Sequence, residues 1–205
     1  MKLEIIPVGA YQANCYIIGC EKTQKGLVID PGAEAKRIIQ HIDKLGLKVE
    51  QIVLTHGHID HIGGVEELRK TYKAKVAIHE ADAPMLTDSM KNLSFYTENA
   101  IKSSADVLLK HGDLLEVGQL KLKVIHTPGH TPGGICLLMD DIVFTGDTLF
   151  AGSIGRTDFP GGSYRQIIDS IKQKLLILKE ETKVLPGHGP QSTIGEEKRM
   201  NPFLI

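Results

Sequence analysis

The sequence has no tryptophan, few aromatic residues and no excess of charge of either sign. Aromatic residues make up 5% of the 205 residues, and the formal net charge is -1. A chain without a basic surplus lacks the electrostatic signature of nucleic-acid binding, so no nucleic-acid partner is expected. With 41% hydrophobic residues, a chain of this length can bury a substantial core of isoleucine, leucine and valine.

Long apolar runs and paired cysteines are also missing. No window approaches the roughly 20 apolar residues that span a bilayer, and the opening MKLEIIPVGA contains no signal-like apolar stretch. We therefore expect no association with a membrane. The three cysteines, Cys15, Cys20 and Cys136, form no C-x-x-C pair, which favours reduced thiols in the cytoplasm. Each is predicted to be a small buried apolar residue.

Short apolar strands alternate with helical patterns along the whole chain. Strands are predicted at 2–8, 14–19, 26–30, 51–54, 75–79, 106–109, 119–126, 135–139, 142–145 and 183–185. Helices are predicted at 33–45, 60–72 and 163–178, with another beginning near Glu80. Residues 88–105 give no clear pattern, 146–162 indicate a glycine-rich loop, and the apolar tail is expected to be ordered. The alternation predicts one α/β domain over residues 1–205, with helices covering mixed sheets.

The segment LTHGHIDHIG, residues 54–63, crowds three histidines and an aspartate into six positions. Neighbouring imidazolium charges repel, so such a cluster is favourable when a cation holds the rings neutral and coordinated. Residues i and i+2 of an extended loop point the same way, so His56 and His58 can bind one ion. Asp60 and His61 begin the next helix and face a neighbouring position. The alternatives are a solvated polar turn and, for Asp60, a helix cap.

Three further metal-type side chains follow predicted strands in glycine-containing loops. They are His130 in HTPGHTPGG, Asp147 in FTGDTLF and His188 in PGHGP. Loops at one edge of a sheet are where α/β proteins place reactive groups. One zinc site takes three protein ligands and a water, whereas five histidines and two aspartates are available here. The surplus predicts two ions, and Asp147 is the natural bridge because a carboxylate has two oxygens. The spacing leaves His130 and His188 unassigned between the ions, and Asp147 could instead be an ordinary turn residue.

The order of these motifs resembles the metallo-β-lactamase superfamily over essentially the whole chain. The segments GDTLFAGSIGRTDFPGG and TIGEEKRMNPFL are similar to short bacterial hydrolases related to glyoxalase II, the hydroxyacylglutathione hydrolase. The resemblance implies an αββα four-layer sandwich with a metal site at the edge between two mixed sheets. It implies that one ion is held by His56, His58 and His130, a second by Asp60, His61 and His188, and that Asp147 bridges them.

The resemblance also implies hydrolysis of a small-molecule thioester or ester by a metal-bridging hydroxide. Zinc is the expected metal, with iron and manganese as alternatives because the ligand set is hard and oxygen-rich. Asp60 and Asp147 would serve catalysis as ligands, and Arg156 would face the substrate unless it is only a solvated loop charge. In the superfamily, true metallo-β-lactamases carry a cysteine in the second metal site. No cysteine of this chain falls on a ligand position, which argues against β-lactam hydrolysis as the main activity. The C-terminal helical region of full-length glyoxalase II is expected to be missing, which leaves glutathione recognition open.

Other interpretations remain. Persulfide dioxygenases share the run G-R-T-D-F found at 155–159, and use one iron on two histidines and an aspartate, a set that His56, His130 and Asp147 could supply. A lactonase is a closer alternative among hydrolases. A non-enzymatic metal-binding role is disfavoured because all seven ligand positions are filled. The sequence leaves the choice between a monomer and a homodimer open.

Five residues have a less certain role. Four histidines match no ligand position and are predicted to be surface or core residues: His41, His79, His111 and His126. Of these, His79 is the strongest exception because it ends a predicted strand. Asp30, in the turn IDPG, is either a turn residue or a support that orients a metal-binding histidine.

Overall fold

The strands are arranged in two six-stranded sheets and one two-stranded ribbon, as seen in a computed structural model that describes residues 1–97 and 100–205. The strands are β1 Lys2–Val8, β2 Ala13–Gly19, β3 Lys25–Ile29, β4 Lys48–Val53, β5 Lys75–His79, β6 Val107–Leu109, β7 Leu114–Val117, β8 Leu120–His126, β9 Ile135–Met139, β10 Ile142–Gly146, β11 Leu149–Phe150, β12 Ser153–Ile154, β13 Lys183–Pro186 and β14 Ser192–Thr193. The α-helices are α1 Ala35–Leu45, α2 Ile59–Ile62, α3 Val65–Tyr72, α4 Tyr164–Ser170 and α5 Ile194–Met200. All ten predicted strands are present.

Both large sheets are mixed. The first has the order β1-β2-β3-β4-β5-β6, antiparallel from β1 to β3 and parallel from β3 to β6. The second has the order β14-β13-β10-β9-β8-β7, in which only β10 and β13 pair in parallel. The strands β3, β4, β8, β10 and β13 all end at one edge of the molecule, so the loops that follow them can meet there.

Three apolar layers hold the elements together. On strand β3, Val28 faces helices α1 and α3, whereas Leu27 and Ile29 face the second sheet. The strand is a continuous apolar run because both of its faces are buried. The third layer packs Ile167 and Ile171 against the outer face of the second sheet. Helices therefore cover both outer faces of two stacked sheets, which confirms the predicted αββα four-layer sandwich.

The predicted helix 60–72 is two helices, and the reason is a close approach of two backbones. It breaks at Gly63 and Gly64 between α2 and α3. A Cβ on Gly63 would lie 2.2 Å from the carbonyl oxygen of Gly32. The N–H of Gly64 donates to the carbonyl oxygen of Pro31 at 2.7 Å. Two glycines thus let the turn after β3 pack directly on the loop that carries the histidine motif.

Other elements differ from the sequence prediction. The helix expected near Glu80 is a 3₁₀ helix, Ala83–Thr87, which contains a proline in its first turn. The helix predicted at 163–178 is α4 followed by a single π-helical stretch, Ile171–Leu175. Strands β7 and β14 and the ribbon β11–β12 were not predicted. Within the unclear segment 88–105 there is a 3₁₀ turn at Ser94–Tyr96, and residues 98 and 99 lie outside the described residues.

The tail is ordered, as predicted. Its helix α5 begins with a capping box, in which the Thr193 hydroxyl accepts from the N–H of Glu196 and the Glu196 carboxylate accepts from the N–H of Thr193. Across residues 1–97 and 100–205, no helix combines the length and apolar character needed to cross a membrane.

Candidate metal centre

Four loops bring the seven sequence-predicted ligands to one edge of the sandwich. The histidine motif follows β4, and the loops after β8, β10 and β13 contribute His130, Asp147 and His188. The two sheets are joined at this edge by backbone hydrogen bonds. Asn14 of the first sheet donates to the carbonyl of Gly187 at 2.7 Å. The topology therefore brings together residues separated by more than 130 positions in the chain.

The first group of ligands consists of His56, His58 and His130, and we call it the three-histidine group. All three side chains are buried, and their ligand nitrogens lie within 4.8 Å of one another. The Nδ1 of His58 is 2.9 Å from the Nε2 of His130. Burial lowers the pKa of His56 well below its usual range and lowers the pKa of His58 to about 3, and the neighbouring imidazoles add to both shifts. The rings of His56 and His58 are therefore neutral near pH 7, each with a lone pair free for a cation.

The second group consists of Asp60, His61 and His188, and we call it the aspartate–histidine group. The Nε2 of His188 is 3.2 Å from Oδ2 of Asp60 and 3.4 Å from the Nε2 of His61. Burial alone would lower the pKa of His61, but the carboxylates of Asp147, Asp30 and Asp60 raise it to about 10. The local field is negative enough to hold a cation.

Asp147 lies between the two groups. Its Oδ1 is 3.4 Å from the Nε2 of His61, and its Oδ2 is 3.6 Å from the Nε2 of His130 and 3.7 Å from that of His188. One carboxylate thus faces nitrogens of both groups. This is the position that a bridging ligand requires.

The chemistry of these side chains fits two divalent cations. Three buried side-chain atoms of the described residues have no hydrogen-bond partner, and two of them, the Nε2 of His56 and the Oδ1 of Asp147, lie in this centre; the third is the Oγ of Ser192. Orphaned buried polar atoms are rare, and a bound ion is one reason for them. Imidazole nitrogens and carboxylate oxygens are ligands that suit zinc, iron and manganese. The two orphaned atoms therefore lie where ligand atoms of a cation would be expected.

Hydrogen bonds on the far side of the rings fix which nitrogen faces the centre. The Nδ1 of His130 lies 2.7 Å from the carbonyl oxygen of Arg156, and the Nδ1 of His188 lies 3.0 Å from that of Tyr11. A carbonyl oxygen accepts a hydrogen bond from a protonated Nδ1, so Nε2 keeps its lone pair for the centre. His58 is different because its Nδ1 faces the group.

Asp30 contacts the far side of the His61 ring and so fixes which nitrogen of that ring faces the centre. Its side chain is 1% exposed, and its backbone has a left-handed φ of 49°. Its Oδ1 accepts from the Thr55 N–H at 2.7 Å, and its Oδ2 accepts from the Thr55 hydroxyl at 2.6 Å. The same Oδ2 lies 2.9 Å from the Nδ1 of His61. The structure thus gives Asp30 the contact expected of a residue that orients a histidine.

The centre opens into a cavity of about 770 Å³. Aromatic side chains of Tyr11, Phe150 and Phe159 line it together with Lys91 at the rim. A cavity of this size suits a ligand of several hundred daltons. These lining residues come from distant loops, and no local sequence signal marks Tyr11, Lys91 or Phe150 as functional.

Arg156 lines the same cavity at the rim. Its guanidinium is paired with the carboxylate of Asp158 at 2.6 Å and lies over the ring of Phe159, 3.8 Å from the centroid. Both charged side chains are exposed, so the pair is weak and can exchange partners. Arg156 thus lines the cavity beside the candidate centre, and its role towards a substrate stays a prediction.

The remaining histidines and the cysteines lie outside the candidate centre. His79 stacks on His126 with ring centroids 4.0 Å apart, and His111 accepts from the N–H of His126 at 3.2 Å. His41 pairs with Glu4 on the surface of the first sheet. The three free cysteines are buried, as predicted.

The family comparison identifies the class of protein that this fold and centre define. Residues 8–188 match the profile of the metallo-beta-lactamase superfamily, and the chain belongs to that superfamily. The hydroxyacylglutathione hydrolase GloC of Haemophilus influenzae is 40% identical over 209 residues, which cover 100% of this chain and 98% of that protein.

Solved structures with the same fold carry different names. The B3 metallo-beta-lactamase BLEG-1 is 38% identical, with a TM-score of 0.94 over 99% of each chain. TTHA1623 in a di-iron-bound form is 36% identical, with a TM-score of 0.88 over 98% of this chain and 100% of that one. ETHE1 from Myxococcus xanthus is 35% identical, with a TM-score of 0.86 over 98% of this chain and 84% of that one. The fold is therefore shared by proteins with several activities.

Proposed function

We propose that this metallo-hydrolase cleaves the thioester bond of a small molecule of the S-2-hydroxyacylglutathione type. The observation that carries the proposal is the carboxylate of Asp147, which faces nitrogens of both ligand groups at 3.4 to 3.7 Å. A site built around one shared carboxylate is suited to two ions, and two ions suit hydrolysis. The similarity to GloC supports the choice of substrate.

In this proposal, the three-histidine group holds one ion and the aspartate–histidine group holds the other, with Asp147 shared. Two divalent ions held by these residues would supply a hydroxide near neutral pH and would polarise a carbonyl oxygen. Zinc is our first choice, and iron is an alternative that the di-iron form of TTHA1623 supports. Asp60 and Asp147 provide the negative charge that balances the ions.

The residues around the cavity would position the substrate. The aromatic walls formed by Tyr11, Phe150 and Phe159 exclude water from one side of the reacting carbonyl. Lys91 and Arg156 place positive charge at the rim, where the carboxylates of a glutathione moiety would lie. A thiolate is already a fair leaving group, so the proposal requires no further general acid.

We propose further that residues 1–205 act as one metallo-β-lactamase domain, as a monomer or homodimer, in the cytoplasm. The GloC alignment, which spans 98% of that protein, supports the first point. Three free and buried thiols fit a reducing compartment.

Two other activities are supported by specific observations. BLEG-1 is a B3 metallo-beta-lactamase with nearly the same fold, so the missing ligand cysteine is a weaker argument against β-lactam hydrolysis than the sequence suggested. A persulfide dioxygenase with one iron is supported by the run at 155–159 and by the similarity to ETHE1. His56, His130 and Asp147 would be its ligands. A lactonase has no separate observation in its favour.

A substrate panel tests the proposal. Metal-free protein is reconstituted with zinc and offered S-D-lactoylglutathione, with loss of thioester absorbance as the readout. Parallel assays use a chromogenic cephalosporin, a homoserine lactone, and oxygen uptake with glutathione persulfide after iron loading. Metal-dependent turnover of the thioester that exceeds the other three by about tenfold or more in kcat/KM supports the proposal. Faster turnover of any other substrate contradicts it.

A further inference from the structure

Asp82 is a buried carboxylate that the proposed chemistry does not use. Its side chain is 0% exposed. It occupies the N-cap position of the 3₁₀ helix Ala83–Thr87, where an aspartate ordinarily accepts a hydrogen bond from its own helix. Here the side chain makes no such bond. Its carboxylate must therefore be satisfied elsewhere.

The carboxylate points instead to two loops of the candidate centre. Its Oδ1 accepts from the N–H of Gly133 at 2.6 Å, and its Oδ2 accepts from the hydroxyl of Thr131 at 2.7 Å. The N–H of Gly57 also donates to this carboxylate. A Cβ on Gly133 would lie 2.5 Å from the backbone nitrogen of Asp82. The backbones of Asp82 and Gly133 therefore pack too closely for a side chain at position 133.

Two of the three partners of Asp82 are direct chain neighbours of residues in the three-histidine group. Thr131 follows His130 directly, and Gly57 lies between His56 and His58. Among the described residues, the hydrogen bonds of this carboxylate reach both loops of the three-histidine group. Asp30 has the corresponding place on the other side, because it contacts His61 of the aspartate–histidine group. Each ligand group therefore has a buried aspartate beside it, and Asp30 also binds Thr55, whose hydroxyl lies 3.2 Å from the Nδ1 of His56.

Burying a carboxylate costs a large desolvation free energy, which is more than is needed if its only effect is to join two loops. Burial raises the pKa of Asp82, and hydrogen bonds from Thr131, Gly133 and Gly57 oppose that rise. An uncharged side chain could link the loops at a smaller desolvation cost. What the carboxylate adds is two acceptor oxygens in one rigid plane, with short bonds that set the separation of the loops.

We propose that Asp82 is a positioning residue that sets the affinity of the three-histidine group for its metal ion. It holds the loop of His130 at a fixed distance from the loop of His56 and His58. The inference rests on the ligand assignment made under the proposed function, but not on the identity of the substrate. Outer partners of metal ligands commonly contribute 10- to 100-fold in affinity, so an effect of about that size is expected.

The test measures zinc affinity by chelator competition in two backgrounds. His188→Ala disables the aspartate–histidine group, and His58→Ala disables the three-histidine group. We expect Asp82→Asn to weaken zinc binding about 10- to 100-fold in the His188→Ala background. In the His58→Ala background, we expect a change of less than about threefold. If Asp82 only stabilised the fold in general, Asp82→Asn would weaken zinc binding equally in both backgrounds.

Asp106→Asn is the matched control. Asp106 also accepts from a backbone N–H, that of Val76 at 2.9 Å, and from Arg69 at 2.6 Å, but it is remote from the centre. It should leave zinc affinity unchanged in both backgrounds. Thr131→Val is a second variant, which keeps Asp82 and removes one of its hydrogen-bond donors. In the His188→Ala background it should lose less zinc affinity than Asp82→Asn does.

Three results would overturn the inference. They are an unchanged zinc affinity for Asp82→Asn, an equal loss in both backgrounds, and an equal loss for the Asp106 control. If Asp82→Asn does not fold, an unchanged affinity for Thr131→Val in the His188→Ala background has the same consequence. None of these measurements depends on turnover, so failure of the thioester assay would not be confused with failure of this inference.

Discussion

Replacing Asp30 with asparagine keeps the shape of the side chain and removes one charged acceptor. The amide oxygen can still accept from the Thr55 N–H, now at 2.7 Å. The Thr55 hydroxyl can rotate and accept from the new NH₂ group. His61 cannot adapt in this way. Its Nε2 faces Asp147 and His188, so a metal-binding ring carries its proton on Nδ1 and meets another donor at 2.9 Å.

The size of the effect follows from that single lost contact. A hydrogen bond to a charged group contributes about 1.5 to 3 kcal/mol. If His61 turns to the other tautomer to avoid the clash, its Nε2 becomes a donor and cannot bind a cation. Either outcome weakens the aspartate–histidine group by about 10- to 150-fold in zinc affinity.

Chelator competition in a His58→Ala background isolates this group and measures the change. Asp43→Asn is the control, because Asp43 accepts a hydrogen bond from Tyr72 on the protein surface at 3.0 Å. Zinc affinity within twofold of the parent for the Asp30 variant would refute the tautomer argument. Equal losses in both variants would refute it as well.

Three other perturbations have defined outcomes. Asp147→Ala should lose both ions and at least about a thousandfold in kcat/KM, and retention of full activity with two ions per chain would contradict the bridging role. Arg156→Ala should raise KM for S-D-lactoylglutathione by about tenfold with little change in kcat. An unchanged KM would show that the charge of Arg156 does not contribute to substrate binding. Burial and the stacked His126 lower the pKa of His79 to about 4. As the pH falls, the unfolded state therefore binds a proton on His79 at a higher pH than the folded state does. The free energy of unfolding should consequently decrease as the pH falls from 6.5 to about 4. His79→Phe should flatten that decrease in urea unfolding, and a slope equal to that of the wild type would contradict the assignment.

The strands were predictable because their patterns are strong and local. Strand β3 is buried on both faces, and strand β8 alternates, with Leu122 and Val124 facing the core between the sheets. The break at Gly63 was not predictable, because its cause is the carbonyl oxygen of Gly32, which only tertiary packing brings near. Helix α5 could have been found from its capping box, T-x-x-E at Thr193.

The candidate ligands were visible in the sequence because histidines and carboxylates are common metal ligands and these seven lie in loops that follow strands. The division of the ligands into two groups was not visible, because His130 and His188 both follow strands of the second sheet and reach the histidine motif only through the stacking of the two sheets. Asp82 carried no signal at all. A lone aspartate before A-P-M is typical of a helix cap, and its function appears only when Thr131 and Gly133 are seen beside it.

The number of zinc ions needed for thioester hydrolysis can be measured by titrating metal-free protein with zinc while following hydrolysis of S-D-lactoylglutathione. We expect kcat/KM to rise until two equivalents of zinc per chain are bound, and then to stay constant. Full activity at one equivalent, or no turnover in protein shown to hold two, would contradict the account.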